Sequence, residues 1–249
     1  MTQPPRIFGL EISPFTAAEV ARTVVEELPP GPTLGLIVTP NIQNIALIHE
    51  NAASRAAYDR AAITVCDGFP VHYYALLRGC PSAGRVTGTD ITHLIMSRTA
   101  FPERHRFFFV VATESLAGAV RDWAVQRGLG DRVAAAVPDF GFERDAGKSE
   151  ALATAIREHG TTVLFLGLGS PKSEVFADLY RAELPPCWVL CIGQAVKMAL
   201  GLTPTPPSIV KTLNLEWAWR MMLEPRRLIW RYVSSSVLFV IAVAKDLSR

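Results

Sequence analysis

The strongest constraint on how this chain folds is a series of short, uncharged segments rich in Val, Ile, Leu and Phe, each followed closely by glycine or a small polar residue. They run from Ile7 to Leu10, Leu34 to Val38, Ile63 to Cys66, Phe107 to Val111, Val133 to Val137, Val163 to Leu166 and Trp188 to Ile192. Most are apolar at every position rather than at alternate ones, so both of their faces need cover, as in a parallel strand inside a layered sheet. Helical patterns lie between them. Thr16 and Glu19 have capping-box spacing, and Ser115 to Arg127 and Lys148 to His159 read as amphipathic helices. This alternation predicts a doubly wound, Rossmann-like α/β fold, a mostly parallel sheet with helices on both faces.

A length of 249 residues suits one such domain with a small appendage. The pattern changes after Gly201, where TPTPPS reads as a stiff linker into two basic, aromatic helical segments, Ile209 to Leu223 and Pro225 to Leu247. We therefore expect an α/β core over residues 1–203 and a helical, membrane-associating appendage over 204–249. The composition is 49% hydrophobic and 19% charged, yet no uncharged apolar stretch of about 18 residues occurs. The N-terminus also lacks a basic start followed by an apolar run, so neither a spanning helix nor a secretory signal is expected. From Pro207 onward seven basic side chains face three acidic ones, giving +4 there and −2 elsewhere against +2 overall. Apolar residues interleave those charges, which points to a membrane surface or lipid phosphate rather than to nucleic acid. Arg226, Arg227 and Arg231 beside Trp230 and Tyr232 suit a helix touching lipid head groups; an ordinary helix docked on the core fits the same pattern. The expected location is cytoplasmic, peripheral on the inner face of the cytoplasmic membrane. Cys66, Cys80, Cys187 and Cys191 form no C-x-x-C pair and read as structural thiols of a reducing compartment.

In doubly wound sheets ligands bind beyond the carboxyl ends of the strands. Those positions here are Thr39-Pro40-Asn41, Asp67-Gly68, Pro138-Asp139-Phe140-Gly141, Gly167 to Lys172 and Gly193-Gln194. The Gly167 to Lys172 loop ends a strand and opens a helix, so close backbone approach, a helix N-terminus and a lysine together favour a phosphate or diphosphate. It is neither a Walker sequence nor G-x-G-x-x-G, and tight turns also use glycine for geometry alone. Asp67 at the mouth of the sheet suits an N-cap for the following helix, or a general base. Thr39 and Asn41 are either helix caps or substrate contacts, and Arg85 is either a phosphate clamp or a solvated loop residue. The five histidines form no constellation. No D-x-D carboxylate pair of the kind that holds a divalent cation occurs, so metal-independent chemistry without a cofactor is expected.

In order along the chain, VTPNIQNI, TVCDGFPV, RVTGTD, LFLGLGSPKSE and LEWAWRMMLEPRRLIWRY resemble the WecG/TagA/CpsF family of bacterial glycosyltransferases, glycosyltransferase family 26, from about Thr39 to about Tyr232. The resemblance implies an inverting enzyme that takes a UDP-sugar, typically UDP-N-acetylmannosamine or its uronic acid. The implied acceptor is a sugar on undecaprenyl diphosphate, in cell-surface polysaccharide assembly. It makes Asp67 the base, with Thr39, Asn41 and Arg85 lining the pocket, and it turns the glycine loop toward the donor diphosphate. The expected donor set is Gly167, Gly169, Ser170, Pro171, Lys172, Ser173, Glu174, Gly193 and Gln194. Arg220, Arg226, Arg227 and Arg231 are expected at the lipid diphosphate. The chain departs from the family at three places. Ser173 stands where glutamine is usual in SPKQE, Gly193-Gln194-Ala195-Val196-Lys197 stands where GGAFD is usual, and Trp230 replaces a common arginine. Altered specificity follows as an expectation, with glucose or a uronic acid joining N-acetylmannosamine as candidate sugars.

Two other readings suit the same pattern. A nucleotide-dependent oxidoreductase would need G-x-G-x-x-G after the first strand, which is missing. A non-catalytic, membrane-associated component of a polysaccharide assembly complex would bind lipid but turn over no sugar. Whether the protein forms a homo-oligomer is open at this stage.

Overall fold

The computed structural model describes residues 4–29, 31–203, 222 and 225–248, and in the final helix it describes side chains from Ser234 onward. Its centre is a six-stranded, wholly parallel sheet of order β4-β3-β8-β7-β5-β6. The strands are β3 (Gly35–Val38), β4 (Ile63–Thr64), β5 (Phe107–Val110), β6 (Val133–Ala136), β7 (Val163–Leu166) and β8 (Trp188–Cys191). Each lies within one of the apolar runs; β7 fills its run and the others are shorter than theirs. Residues such as Cys66 and Ile192 continue past the hydrogen-bonded ladder into the loops above it.

The first apolar run behaves differently from expectation. Ile7 to Leu10 does not join the sheet. It forms a separate antiparallel pair, β1 (Arg6–Ile7) and β2 (Leu10–Glu11), closed by Phe8 and Gly9 at φ values of 52° and 75°. Two successive positive φ angles make the hairpin turn that matches strand twist. A phenylalanine there is strained, and burial offsets the strain: Phe8 is fully buried, with its ring 5.0 Å from that of Tyr74 and 5.7 Å from that of Phe239.

The helices follow as α1 (Ala17–Glu26), α2 (Ile42–Glu50), α3 (Ala52–Asp59), α4 (Phe69–Leu77), α5 (Gly88–Met96), α6 (Glu114–Gln126), α7 (Ala146–Glu158), α8 (Lys172–Leu179), α9 (Ala195–Ala199) and α10 (Pro225–Leu247). The Thr16/Glu19 capping box starts α1 as its spacing predicts. Alternate strand residues divide the core into two layers. Leu36, Val38, Phe108, Val110, Leu164 and Leu166 face α2, α3, α4, α7 and α8, while Ile37, Phe107, Phe109, Val163 and Phe165 face α1, α5, α6 and α9. Phe109 and Phe165 are directly paired across β5 and β7, with parallel rings 4.5 Å apart. Burying each such ring contributes roughly 1.5–3 kcal/mol, before the entropy of ordering the chain is set against it.

The layer assignment creates the crevice. Helices following β3 and β7 lie on one face, and those following β5 and β8 on the other. The chain therefore leaves neighbouring strands in opposite directions and opens a gap above their carboxyl ends.

The last described helix is docked on this body. Ala242 and, beside it, Phe239 and Val243 join the α2 and α4 side of the core. Asp246, itself buried, accepts from the Tyr74 hydroxyl at 2.8 Å and from Arg78 at 3.2 Å. The linker expected at TPTPPS and the helical segment expected over Ile209 to Leu223 fall outside the described residues, Thr203 and Met222 excepted. Among the described residues no helix is long and apolar enough to cross a membrane.

Candidate active site

Three polar segments meet on the β3/β4 side of the crevice, knitted by backbone hydrogen bonds that carry the parallel ladder past its strands. The Asp67 N–H donates to the Pro40 carbonyl at 3.0 Å, and the Val86 N–H donates to the Cys66 carbonyl at 2.8 Å. Thr39 to Asn41, Asp67 and Arg85 are thereby brought together, although the sequence separates them by up to 46 positions. Thr39, Asn41, Asp67 and Arg85 are each half-buried, as befits residues lining a cleft. The Arg85 guanidinium lies 5.5 Å from the centre of the Phe69 ring, a cation–π contact that fixes its direction.

The alternative roles for these residues separate in the structure. The N-cap of α4 is Gly68 at φ 102°, so Asp67 does not occupy the capping position. Asn41 does cap its helix: its side-chain oxygen accepts from the Gln43 and Asn44 N–H groups at 2.9 and 3.2 Å, and Asn44 returns a bond to the Asn41 N–H at 3.0 Å. The Asn41 amide NH2 takes no part in that cap.

Across the crevice lies the loop from Gly167. A Cβ on Gly167 would sit 3.1 Å from both the Gly193 and Val110 carbonyl oxygens, so this glycine lets three strand ends crowd together. Gly169 differs, with φ at 82° and open space where its Cβ would be. There the backbone is accessible, which is the property a phosphate-facing turn needs. Lys172 opens α8, held by an ion pair to Glu143 at 2.7 Å and lying 5.4 Å from the centre of the fully exposed Phe140 ring. The lysine's hydrogen bond keeps the Glu143 carboxyl below its ordinary range. Phe140 belongs to the Pro138 to Gly141 segment expected beyond a strand end, whereas nothing in the sequence marks Glu143. A lysine on a strand-to-helix loop implies a counter-charge nearby, but its position in the chain follows only from the fold.

The remaining expected donor residues occupy two depths. Ser170 and Pro171 are half-buried in the loop, Gly193 adopts φ 51° after β8, and Gln194 is exposed at the start of α9. Ser173 and Glu174 instead lie beneath the loop, 1% and 4% exposed, with the Ser173 hydroxyl donating to the Leu166 carbonyl. Arg220 lies outside the described residues, as do the side chains of Arg226, Arg227 and Arg231. No group of three His, Cys, Asp or Glu side chains that could hold a metal ion occurs among the described residues. All four cysteines are buried free thiols, and desolvation pushes the Cys66 thiol up to about 11 and Cys187 up to about 12. They are kept in the unreactive thiol form.

The fold is a parallel α/β sheet with polar and glycine residues gathered beyond its carboxyl edge, the place where enzymes of this architecture bind their ligands. The chain belongs to the glycosyl transferase WecG/TagA/CpsF family, which residues 5–249 match, and it is a glycosyltransferase. The match thus extends beyond the Thr39 to Tyr232 blocks to almost the whole chain. It is also 26% identical over 209 residues to N-acetylglucosaminyldiphosphoundecaprenol N-acetyl-beta-D-mannosaminyltransferase of Bacillus spizizenii, covering 84% of this chain and 78% of that one.

Proposed function

We propose that the protein transfers a hexose-type sugar from a UDP-sugar to a saccharide carried on a polyprenyl diphosphate, with inversion and without a metal ion. The observation that carries this reading is the convergence of Asp67, Thr39, Asn41 and Arg85 on one wall of a crevice whose other wall is the open Gly169 turn and Lys172. Asp67 takes the proton of the acceptor hydroxyl as its oxygen bonds to the anomeric carbon. The bond from that carbon to the donor phosphate breaks, and UDP leaves with the electron pair. Its charge is met by Arg85, Lys172 and the backbone N–H groups at the start of α8.

The acceptor class is supported by the name of the Bacillus spizizenii relative, which acts on a sugar linked to diphosphoundecaprenol. It is also supported by an apolar groove of about 350 Å³ between α4 and α10, lined by Pro70, Tyr73, Tyr74, Leu77, Phe239 and Val240. The groove starts three residues beyond Asp67, and the exposure of Tyr73, Leu77 and Val240 beside it suits a protein resting on a lipid surface. That surface is the inner face of the cytoplasmic membrane in this reading, with Arg220, Arg226, Arg227 and Arg231 toward the lipid diphosphate. Among the departures from the family pattern, Gln194 is exposed and is the one this reading assigns to the sugar, whereas Ser173 is buried behind the loop.

The test is turnover of UDP-glucose, UDP-N-acetylglucosamine, UDP-N-acetylmannosamine and their uronic acids with a short-chain prenyl-diphosphate-linked sugar, with and without EDTA. EDTA-insensitive transfer from one donor is expected. UDP binding without transfer from any donor to any prenyl-linked sugar would overturn the reading.

A further inference from the structure

Beneath the donor loop lies a buried polar network that the catalytic reading does not use. Glu174 on α8 is 4% exposed, and one of its carboxyl oxygens accepts from the Tyr58 hydroxyl of α3 at 3.3 Å. The Ser170 hydroxyl lies against both residues and accepts from the Asn44 side-chain nitrogen at 2.9 Å. The other carboxyl oxygen of Glu174 is buried with no hydrogen-bond partner among the described residues. Asn44 is anchored at its other end as well, since its side-chain oxygen accepts from the Asn41 N–H.

The arrangement is costly as a stability device. A buried carboxyl with an unsatisfied oxygen loses hydration that its contacts do not fully replace, and an apolar side chain of similar volume would serve packing better. What the network does provide is a connection. It runs from the Asn41 cap above β3, through Asn44 and Ser170, to α8 and α3, and it bridges two loops whose strands are separated by β8. With the Asn44 amide held at both ends, the loop after β7 is tied by hydrogen bonds to the wall carrying Thr39 and Asn41. A transfer reaction needs that relation, because reacting groups misplaced by about 1 Å lose about two orders of magnitude in rate.

We propose that Glu174 is a positioning residue for the donor. Through Tyr58 and Ser170 it sets the Gly167 to Lys172 loop at the distance from Asn41 that donor diphosphate binding requires. This rests on the reading of that loop as the diphosphate site.

The experiment measures UDP affinity by calorimetry, donor and acceptor KM, and thermal melting for full-length Glu174→Ala, Glu174→Gln, Tyr58→Phe, Ser170→Ala and Lys172→Ala. The Ala variant at position 174 and the Phe variant at position 58 are expected to weaken UDP binding and raise donor KM about tenfold, with acceptor KM unchanged. The Gln variant, which keeps the shape and an acceptor for Tyr58, is expected to stay within about threefold of wild type. Tyr58→Phe removes a single oxygen, so it tests the idea even if Glu174→Ala does not fold. Cooperative melting with UDP affinity within twofold of wild type in Tyr58→Phe and Ser170→Ala overturns the proposal, as does a Gln variant no better than Ala. If Lys172→Ala alone loses UDP, the donor-loop reading stands and only positioning fails. If Lys172→Ala binds UDP normally too, the reading itself falls.

Discussion

Tyr74 on α4 and Asp246 near the end of α10 are joined by a hydrogen bond of 2.8 Å across 172 residues of chain, and Arg78, which caps the end of α4, closes the same contact. The helix that follows the candidate base is thus clamped to the last helix of the chain. Tyr74→Phe removes the donor and leaves the ring packed against Phe8, so it should cost about 1 kcal/mol. In a chain of this size that is a fall of about 2–4 °C in melting temperature, read by calorimetry. An unchanged melting temperature would mean that the docking of α10 depends on the Arg78–Asp246 pair and the apolar contacts rather than on the Tyr74 hydroxyl.

Asp67→Asn keeps size and polarity but cannot accept a proton. Turnover should fall by about two to four orders of magnitude with UDP affinity within about twofold of wild type. Near-normal turnover of a correctly folded variant would remove Asp67 from the role of base.

Gly167→Ala places a methyl group 3.1 Å from two backbone carbonyl oxygens, neither of which can swing aside as a side chain could. Strain of about 1–3 kcal/mol is expected, with loss of UDP binding as the loop shifts. Gly169→Ala meets no atom but must hold φ 82°, so it should be less disruptive to packing while still disturbing the turn. Comparing the melting curves and UDP affinities of the two variants separates crowding from backbone conformation.

Burial raises the Glu174 carboxyl above its ordinary value of 4.5, against the hydrogen bonds from Ser170 and Tyr58 that lower it. Tyr58 and Cys191, the titratable groups that face it, are themselves held neutral by burial. The unfolded chain ionises Glu174 near pH 4.5 and the folded chain only at higher pH. The folded state therefore releases fewer protons, and this group's contribution to stability falls as pH rises from 4.5 through the folded-state value. Glu174→Gln cannot titrate. Its melting temperature relative to wild type should rise between pH 5 and pH 8, and a pH-independent difference would show that Glu174 titrates alike in both states.

Much of the fold was legible because β3, β5, β7 and β8 are apolar at consecutive positions, and only a strand covered on both faces tolerates that. The same logic misplaced Ile7 to Leu10, since the composition of a buried hairpin and of a buried parallel strand is alike until Phe8 and Gly9 turn back. Asp67, Thr39 and Gly167 could be picked out because position after a strand is itself a signal. Tyr58 and Asn44 could not: one reads as a core aromatic in an alanine-rich helix and the other as part of a helix cap. Which polar side chains meet beneath the loop depends on strand order, and order is decided by non-local packing rather than by any local run of residues.

By itself, then, the sequence determined the layered α/β class, the helix starts with their caps, and the loops where polar residues had to emerge, because these depend on local periodicity and hydrogen bonding. Only the tertiary structure decided that Asp67 and Arg85 share a wall, that Lys172 is held by Glu143, and that Glu174 lies beneath the loop rather than in it. Those relations arise where separate strands end side by side, and their energy comes from contacts between residues that have no proximity along the chain.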